Sequence, residues 1–132
     1  MIGLDTNILL RYLVQDDPTQ SPKATEIIER RLTERNPGFV SLVSILEIVW
    51  VLGTLYKRTR REIAQHIEMI LAADTLEVQN AQEVYQAVVA LRSGTGAFED
   101  ALIGSIGIWR GCRSTLTFDQ KAAKRLNGFQ LV

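Results

Sequence analysis

Four acidic residues lie where a predicted strand ends or a predicted helix begins: Asp5, Glu47, Asp100 and Asp119. In an open α/β sheet, the carboxyl ends of the strands form the edge at which ligands bind. Carboxylates brought together repel one another unless they are protonated or joined by a metal ion. Oxygen ligands favour hard cations such as Mg²⁺ or Mn²⁺, which activate water for attack on a phosphate. The pattern therefore predicts a divalent-cation site that acts on phosphate esters.

The same acids also have a structural interpretation as helix caps. An Asp just before a helix is commonly its N-cap, which fits Asp5 and Asp119. The spacing Ser44-x-x-Glu47 matches a capping box. Glu47, however, is the only charged residue in the run 39–56. A carboxylate in apolar surroundings needs a partner or becomes neutral, and a bound cation is one such partner.

Glycines share a predicted helix face with Asp100. Gly104, Gly107 and Gly111 follow it at offsets of four, seven and eleven residues. Each glycine inside a helix costs about 1 kcal/mol relative to alanine, so a compensating contact is expected. That contact is either with the sheet, which would bring Asp100 to the sheet edge, or with a second copy of the chain.

Strands alternate with helices along the whole sequence. Strands are predicted at 2–4, 39–43, 76–78, 114–117 and 129–132. This alternation predicts an α/β sandwich with a mainly parallel sheet flanked by helices. No linker or low-complexity tract interrupts it, so residues 1–132 are expected to form one domain. The predicted helix-start signals are Ser21-Pro22, Ser44-x-x-Glu47, Thr59-x-x-Glu62 and Asn80-x-x-Glu83.

Composition narrows the possible functions. Lys plus Arg and Asp plus Glu both number 15, so net charge alone does not indicate a polyanionic partner. Cys112 is the only cysteine and His66 the only histidine, which excludes an intrachain disulfide and leaves His-based triads and zinc sites unsupported. No apolar run approaches the length of a membrane span, so a cytoplasmic protein is expected. The tryptophans Trp50 and Trp109 are expected in the core.

The chain resembles the PIN-domain family, and within it the VapC-type ribonuclease toxins of prokaryotic toxin-antitoxin pairs. The resemblance covers the whole chain and rests on the order and spacing of a few short segments. These are Leu4-Asp5-Thr6-Asn7, Ser44 to Glu47, Phe98 to Ile103, and Thr117-Phe118-Asp119. It implies a parallel sheet of about five strands, an endoribonuclease that depends on Mg²⁺ or Mn²⁺, a cognate antitoxin and a homodimer.

The resemblance also implies roles for individual residues. The four acids would form the catalytic site, with Asp5, Asp100 and Asp119 as direct metal ligands. Side chains expected to orient the carboxylates are those of Thr6, Asn7 and Thr117. The chain departs from the usual pattern in having Glu99 beside Asp100, and Gly104 and Gly107 where alanines are more common. Glu99 is expected to face solvent.

An acidic site that cuts RNA needs basic side chains around it. The leading candidates, for RNA or for a protein partner, are Lys57, Arg58, Arg60 and Arg61. Solvated helix ends are the alternative, but Arg60 and Arg61 lie in a first helical turn, where positive charge is unfavourable by about 0.3 to 1 kcal/mol. Other candidates are Arg110, Arg113, Lys121, Lys124 and Arg125.

Two rival functions remain open at the level of sequence. A housekeeping RNA-processing nuclease of the same family would share the site. A non-catalytic receiver-like α/β module would use a strand-edge Asp as phosphoacceptor. A receiver needs paired acids after its first strand and a lysine on a late strand, whereas Asp5 stands alone and the run 129–132 has no lysine.

Overall fold

The computed structural model describes all 132 residues. The helices are α1 (Thr6–Val14), α2 (Gln20–Glu26), α3 (Leu42–Thr54), α4 (Arg60–Ala72), α5 (Ala81–Ser93), α6 (Phe98–Trp109) and α7 (Gln120–Arg125). The strands are β1 (Ile2–Gly3), β2 (Gly38–Val40), β3 (Leu76–Val78), β4 (Thr115–Thr117) and β5 (Phe129–Leu131). The predicted alternation of strands and helices is therefore confirmed.

The strands form two sheets, whereas the sequence pattern indicated one. Strands β1, β2 and β3 pair in that order, both pairs being parallel. Strands β4 and β5 form a separate parallel pair. All five predicted strands exist and all pairing is parallel, but the expected single sheet is divided into three strands and two. Each strand is at most three residues long, so few ladder bonds are available to join the two parts.

Most of the core lies between the three-stranded sheet and helices α3, α4 and α5. A cluster of 19 buried apolar residues includes Leu9 of α1, Val40 of β2, Ile45 of α3 and Val88 of α5. From residue 97 onward only the start of α6 contributes to it, through Phe98 and two neighbours. Strands β4 and β5 contain no buried residue.

Two of the predicted helix starts were wrong. Helix α3 begins three residues earlier than predicted, because Ser41 is the N-cap and its Oγ accepts a hydrogen bond from the backbone N–H of Ser44 at 3.2 Å. The predicted capping box between Ser44 and Glu47 is therefore absent. Helix α2 begins at Gln20 and not after Ser21, since Asp17 Oδ1 accepts from the backbone N–H of Gln20 at 2.6 Å.

The other two helix-start signals, at Thr59 and Asn80, had different outcomes. Thr59 and Glu62 form the predicted capping box at the start of α4. Asn80 does precede α5, but it has a positive φ of 51° and makes no side-chain bond to the backbone. Its amide donates instead to Glu83 Oε1 at 3.0 Å. Helix α2 continues through a π-helical turn at Ile27–Arg31.

Two of the glycines of α6 pack on the two-stranded sheet. A Cβ atom added to Gly104 would lie 2.5 Å from Phe129 Cε2, and one added to Gly107 would lie 3.1 Å from Thr115 Oγ1. The close contacts are with β5 and β4, which supports sheet packing as the reason for these glycines. Gly111 follows the helix with φ of 90° and has no neighbour that a Cβ would meet.

Both tryptophans are on the surface, contrary to prediction. Trp50 is 64% exposed and Trp109 is 59% exposed. Each belongs to a strongly apolar helix with no charged residue in its last turn, so the sequence offers no polar face to mark the outside. No helix of the chain is long and apolar enough to cross a membrane.

Candidate active site

Asp5 follows β1 directly and caps α1. Its backbone is extended, and Oδ1 accepts a hydrogen bond from the backbone N–H of Thr6 at 2.8 Å. The cap interpretation of Asp5 is therefore correct as local structure. It uses only Oδ1, and the Asp5 side chain is exposed, which leaves Oδ2 free to bind a ligand.

A side-chain contact joins α1 to α3 beside Asp5. Thr6 Oγ1 donates to Glu47 Oε1 at 2.9 Å, across 41 residues of sequence. Thr6 is 7% exposed, so its hydroxyl is held by the surrounding core. Glu47 itself is exposed and points out of the apolar helix that carries it. The apolar surroundings predicted for Glu47 were therefore wrong, because the carboxylate reaches solvent as well as the hydroxyl of Thr6.

Asp100 lies in the first turn of α6 and is influenced by two other acids. Burial raises the pKa of Asp100 above its ordinary value, and the negative charges of Glu99 and Asp119 raise it further. The effect of Asp119 is the smallest of the three, which places its carboxylate within electrostatic range of Asp100 but shows no direct contact between them. The two-stranded sheet is responsible for this proximity, because β4 leads into Asp119 and packs against α6.

Asp119 is the N-cap of α7. Its Oδ1 accepts hydrogen bonds from the backbone N–H groups of Lys121 and Ala122, at 2.8 and 3.1 Å. The backbone N–H of Asp119 donates to Thr117 Oγ1 at 2.9 Å. Thr117 thus fixes the turn that presents Asp119, although it does not contact the carboxylate. As at Asp5, Oδ2 takes no part in the cap.

A groove between α3 and α6 is lined by one of the four acids, Glu47, and by Glu99, which precedes Asp100. Glu47 and Glu99 both line a cavity of about 420 Å³ together with Leu46, Val49 and Trp50. Glu99 is exposed, as expected, but it also lines an adjoining cavity of about 450 Å³ whose other walls are mainly apolar. Sequence reasoning missed this position of Glu99, which depends on how α3 and α6 pack.

Asn7 is placed differently from the other predicted residues. It is exposed and lines a cleft of about 270 Å³ between α1 and α2, together with Arg11 and Lys23. It makes no hydrogen bond to any of the four acids. The sequence reasoning did not identify this cleft. Arg11 Nε donates to Gln20 Oε1 at 2.8 Å and Arg11 Nη1 lies 3.4 Å from Asp16 Oδ1, whereas Lys23 forms no salt bridge.

The donor chemistry of the site fits a hard divalent cation. All candidate ligands are carboxylate oxygens. Burial is the main cause of the raised pKa of Asp100, and the negative charges of Glu99 and Asp119 add a repulsion that a cation would relieve. No group of three or more His, Cys, Asp or Glu side chains is close enough to form a protein cage. Mg²⁺ does not require one, because it usually binds through one or two carboxylates and keeps several waters. The Asp100–Asp119 pair is the part that fits this mode best.

The basic run between α3 and α4 is partly engaged within the chain. Arg58 Nη1 lies 4.0 Å from Glu62 Oε2. A Cβ added to Gly94 would lie 3.1 Å from Arg60 Nη1, so this guanidinium packs against the residue that ends α5. Positive charge at a helix carboxyl end is favourable, which gives Arg60 a structural reason for its position. Lys57 and Arg61 are exposed.

Comparison with known proteins identifies the family. The PIN domain model matches residues 2–127, so the chain belongs to the PIN domain family. PIN domains are generally nucleases, and they typically use divalent metal ions. No curated protein matches the chain.

Proposed function

We propose that this chain is an endoribonuclease dependent on Mg²⁺ or Mn²⁺ and the toxin of a toxin-antitoxin pair. The observation that carries the proposal is the presence of two acidic pairs from four separate elements. Asp5 and Glu47 are linked through Thr6, and Asp100 is close enough to Asp119 for its pKa to respond. A groove lined by Glu47 and Glu99 lies beside them.

The chain's own residues would each have a defined task. Asp100 and Asp119 would hold the cation. Asp5 is not close enough to form a three-acid group with them in this structure, so as the third ligand it would bind through a metal-bound water or after a local movement, and Glu47 would complete the acidic site. Such a cation supplies activation of water and charge stabilisation at the scissile phosphate. Thr6 would keep Glu47 oriented, and the Asp5 and Asp119 caps would keep those carboxylates at their helix starts.

RNA needs positive charge near these acids, and two surfaces can supply it. Lys57 and Arg61 are exposed at the start of α4, and Arg11 and Lys23 line the cleft that begins at Asn7. Asn7 is only two residues from Asp5, which favours the cleft as the path of the RNA strand. Substitution of Lys23 should therefore weaken RNA binding more than substitution of Arg61.

An apolar surface beside the site supports a protein partner. Leu46, Trp50 and Ile103 are exposed and line the groove or the cavity that adjoins it, and Val43 is exposed on the same helix α3. Patches of this kind mark protein interfaces. We propose that the antitoxin covers the groove, and that the toxin forms a homodimer through another exposed part of the same two helices. A cytoplasmic setting, where RNA and antitoxin are both present, completes the proposal.

The direct test is RNA cleavage by the purified chain. Single-stranded or loop RNA should be cut in Mg²⁺ or Mn²⁺, with 5′-phosphate and 3′-hydroxyl ends, and cutting should stop in EDTA. Activity retained in chelator would contradict the cation-dependent mechanism. Sequencing the 5′ ends produced on induction in cells would identify the RNA.

A second test separates a toxin from a housekeeping nuclease. Expression of the parent should arrest growth, and co-expression of the neighbouring antitoxin gene should restore it. A nuclease that cuts RNA in vitro without arresting growth would favour the housekeeping alternative. The family assignment removes the support for a receiver-like module.

A further inference from the structure

A separate cavity of about 390 Å³ lies between α5, α6 and the turn that joins α7 to β5. Its volume is within the range of small-molecule sites, roughly 300 to 1,000 Å³. Ala101, Ser105 and Ile108 of α6 line this cavity, whereas Glu99 and Ile103 of the same helix line the groove with α3. The cavity is therefore distinct from the candidate active site.

The electrostatic character of the cavity is opposite to that of the groove. Arg125 is the only charged residue among those that line it. Its guanidinium takes part in none of the four salt bridges of the chain. An exposed guanidinium with no carboxylate beside it favours an anionic ligand, and its planar donors match a phosphate.

The cavity also has an apolar wall that the fold leaves uncovered. Val89 and Ile108 are 48% and 47% exposed, and both line the cavity. The ring of Phe129 forms part of the same wall, held there by its close contact with Gly104. Flat heterocycles pack well against such a surface, since aromatic contact buries a large area with few torsions to fix.

Two amide side chains complete the lining. Gln86 and Asn127 are exposed, and neither makes a side-chain hydrogen bond within the chain. Each amide offers both donors and an acceptor, which is the combination that reads the edge of a nucleobase. Most other polar side chains near by are already engaged, as Ser93 and Thr95 are with the end of α5.

We propose that this cavity binds a nucleoside monophosphate unit. The phosphate would pair with Arg125, the base would cover Val89 and Ile108, and the amides of Gln86 and Asn127 would contact its edge. The same chemistry occurs in a free nucleotide and in one nucleotide of an RNA strand. The inference does not require that the chain cleave RNA.

The test is calorimetric titration of the full chain with adenosine and uridine monophosphates in EDTA, where no cation-dependent cleavage occurs. At least one of the two nucleotides should bind saturably, and the matching nucleoside or inorganic phosphate alone should bind more weakly. Arg125→Met should weaken binding about tenfold, the scale of one lost charge-assisted contact. Arg35→Met is the matched control, because Arg35 is an exposed arginine that takes part in none of the four salt bridges and does not line the cavity. It should bind like the parent.

A short single-stranded oligoribonucleotide identifies the source of the ligand. A loss of affinity for both oligonucleotide and mononucleotide in Arg125→Met would assign the cavity to the RNA strand. A loss for the mononucleotide alone would assign it to a free nucleotide. The proposal is overturned if the parent binds neither mononucleotide at millimolar concentration, or if Arg35→Met loses as much affinity as Arg125→Met. Repeating the titration with Asp100→Asn makes the result independent of the proposed nuclease activity.

Discussion

Side chains are more completely buried around the three-stranded sheet of this protein than around its two-stranded sheet. Around β1, β2 and β3, side chains such as Ile45 and Val40 are fully buried. Around β4 and β5, large apolar side chains stay on the surface, with Leu116 65% exposed and Phe118 86% exposed. The candidate site divides in the same way, since Asp5 and Glu47 extend from the well-packed part and Asp119 from the other.

Because of this difference in packing, the protein holds the two halves of the site with different rigidity. Asp5 and Glu47 are tied to a large core through buried Thr6. Asp119 depends on two three-residue strands and the contact of Phe129 with Gly104. Regions with few buried apolar contacts open at lower free energy. We therefore expect the Asp100–Asp119 half to respond most to cation binding, and four predictions test this contrast.

The largest effect is expected at Asp100. Asp100→Asn should lower RNA cleavage by more than the ~10- to 100-fold typical of changes outside the direct ligands. It should also remove most of the increase in Tm that Mg²⁺ produces in the parent. The pKa of Asp100 is raised in the folded state, so its ionised form disfavours folding at pH values above that pKa. The metal-free variant should therefore melt at the same temperature as the parent or higher.

The measurement is a pair of thermal melts, in EDTA and in excess Mg²⁺, beside a cleavage assay. Asp74→Asn serves as the control, because Asp74 is an exposed acid at the far end of α4. An active Asp100→Asn protein that gains as much Tm from Mg²⁺ as the parent would show that Asp100 is not a ligand.

The second prediction compares the two packing regions directly. Ile45→Ala removes a fully buried side chain and should lower the free energy of unfolding by about 2 to 5 kcal/mol. Leu116→Ala removes a side chain that is 65% exposed on β4 and should change it by about 0.5 kcal/mol or less. Urea denaturation of both variants measures this. Equal losses would mean that the two-stranded sheet is as tightly packed as the core.

The third prediction concerns the link between α1 and α3. Thr6→Val keeps the shape of the side chain but removes the hydrogen bond to Glu47, so stability should fall by about 0.5 to 1.5 kcal/mol. If the bond orients Glu47 for catalysis, kcat should fall about 10- to 100-fold with little change in KM. Thr25→Val is the control, because the hydroxyl it loses donates to the carbonyl of Ser21 and accepts from the amide of Gln15, and contacts none of the four acids. The same fall in kcat for both variants would assign Thr6 a structural role only.

The smallest effect on stability is expected for a substitution of His66, which lies in the well-packed part of the protein. His66 Nδ1 and Arg58 Nε are buried without a hydrogen-bond partner. Burial, and then the charge of Arg58, lower the pKa of His66 below 6.5. The unfolded chain therefore binds a proton at His66 more readily than the folded chain does. The stabilisation of the folded state that is present above about pH 6.5 is lost as the pH falls toward 5. His66→Gln should make this loss smaller in urea titrations at pH 7 and pH 5. An unchanged pH dependence would mean that other groups cause it.

The sequence alone determined the local structure that rests on neighbouring residues. The strand–helix order, the caps at Asp5 and Asp119 and the Thr59–Glu62 capping box depend on side chains a few residues from the backbone groups they satisfy. Such bonds form wherever the chain takes that local path, and so their patterns can be read directly. The predicted N-cap of α3 was wrong because Ser41 and Ser44 are both serines near the start of the helix, and the local sequence suits either as its cap.

Tertiary packing alone decided which side chains meet. Thr6 reaches Glu47 across 41 residues, and Arg60 finds the end of α5 near Gly94, in contacts that no local spacing encodes. The exposure of Trp50 could not be predicted from the sequence either. Helix α3 is apolar on nearly every face, so the elements that pack against it determine which face is buried. The division of the sheet has the same cause. Strand patterns predict that strands form, whereas the pairing of strands far apart in the sequence depends on tertiary packing.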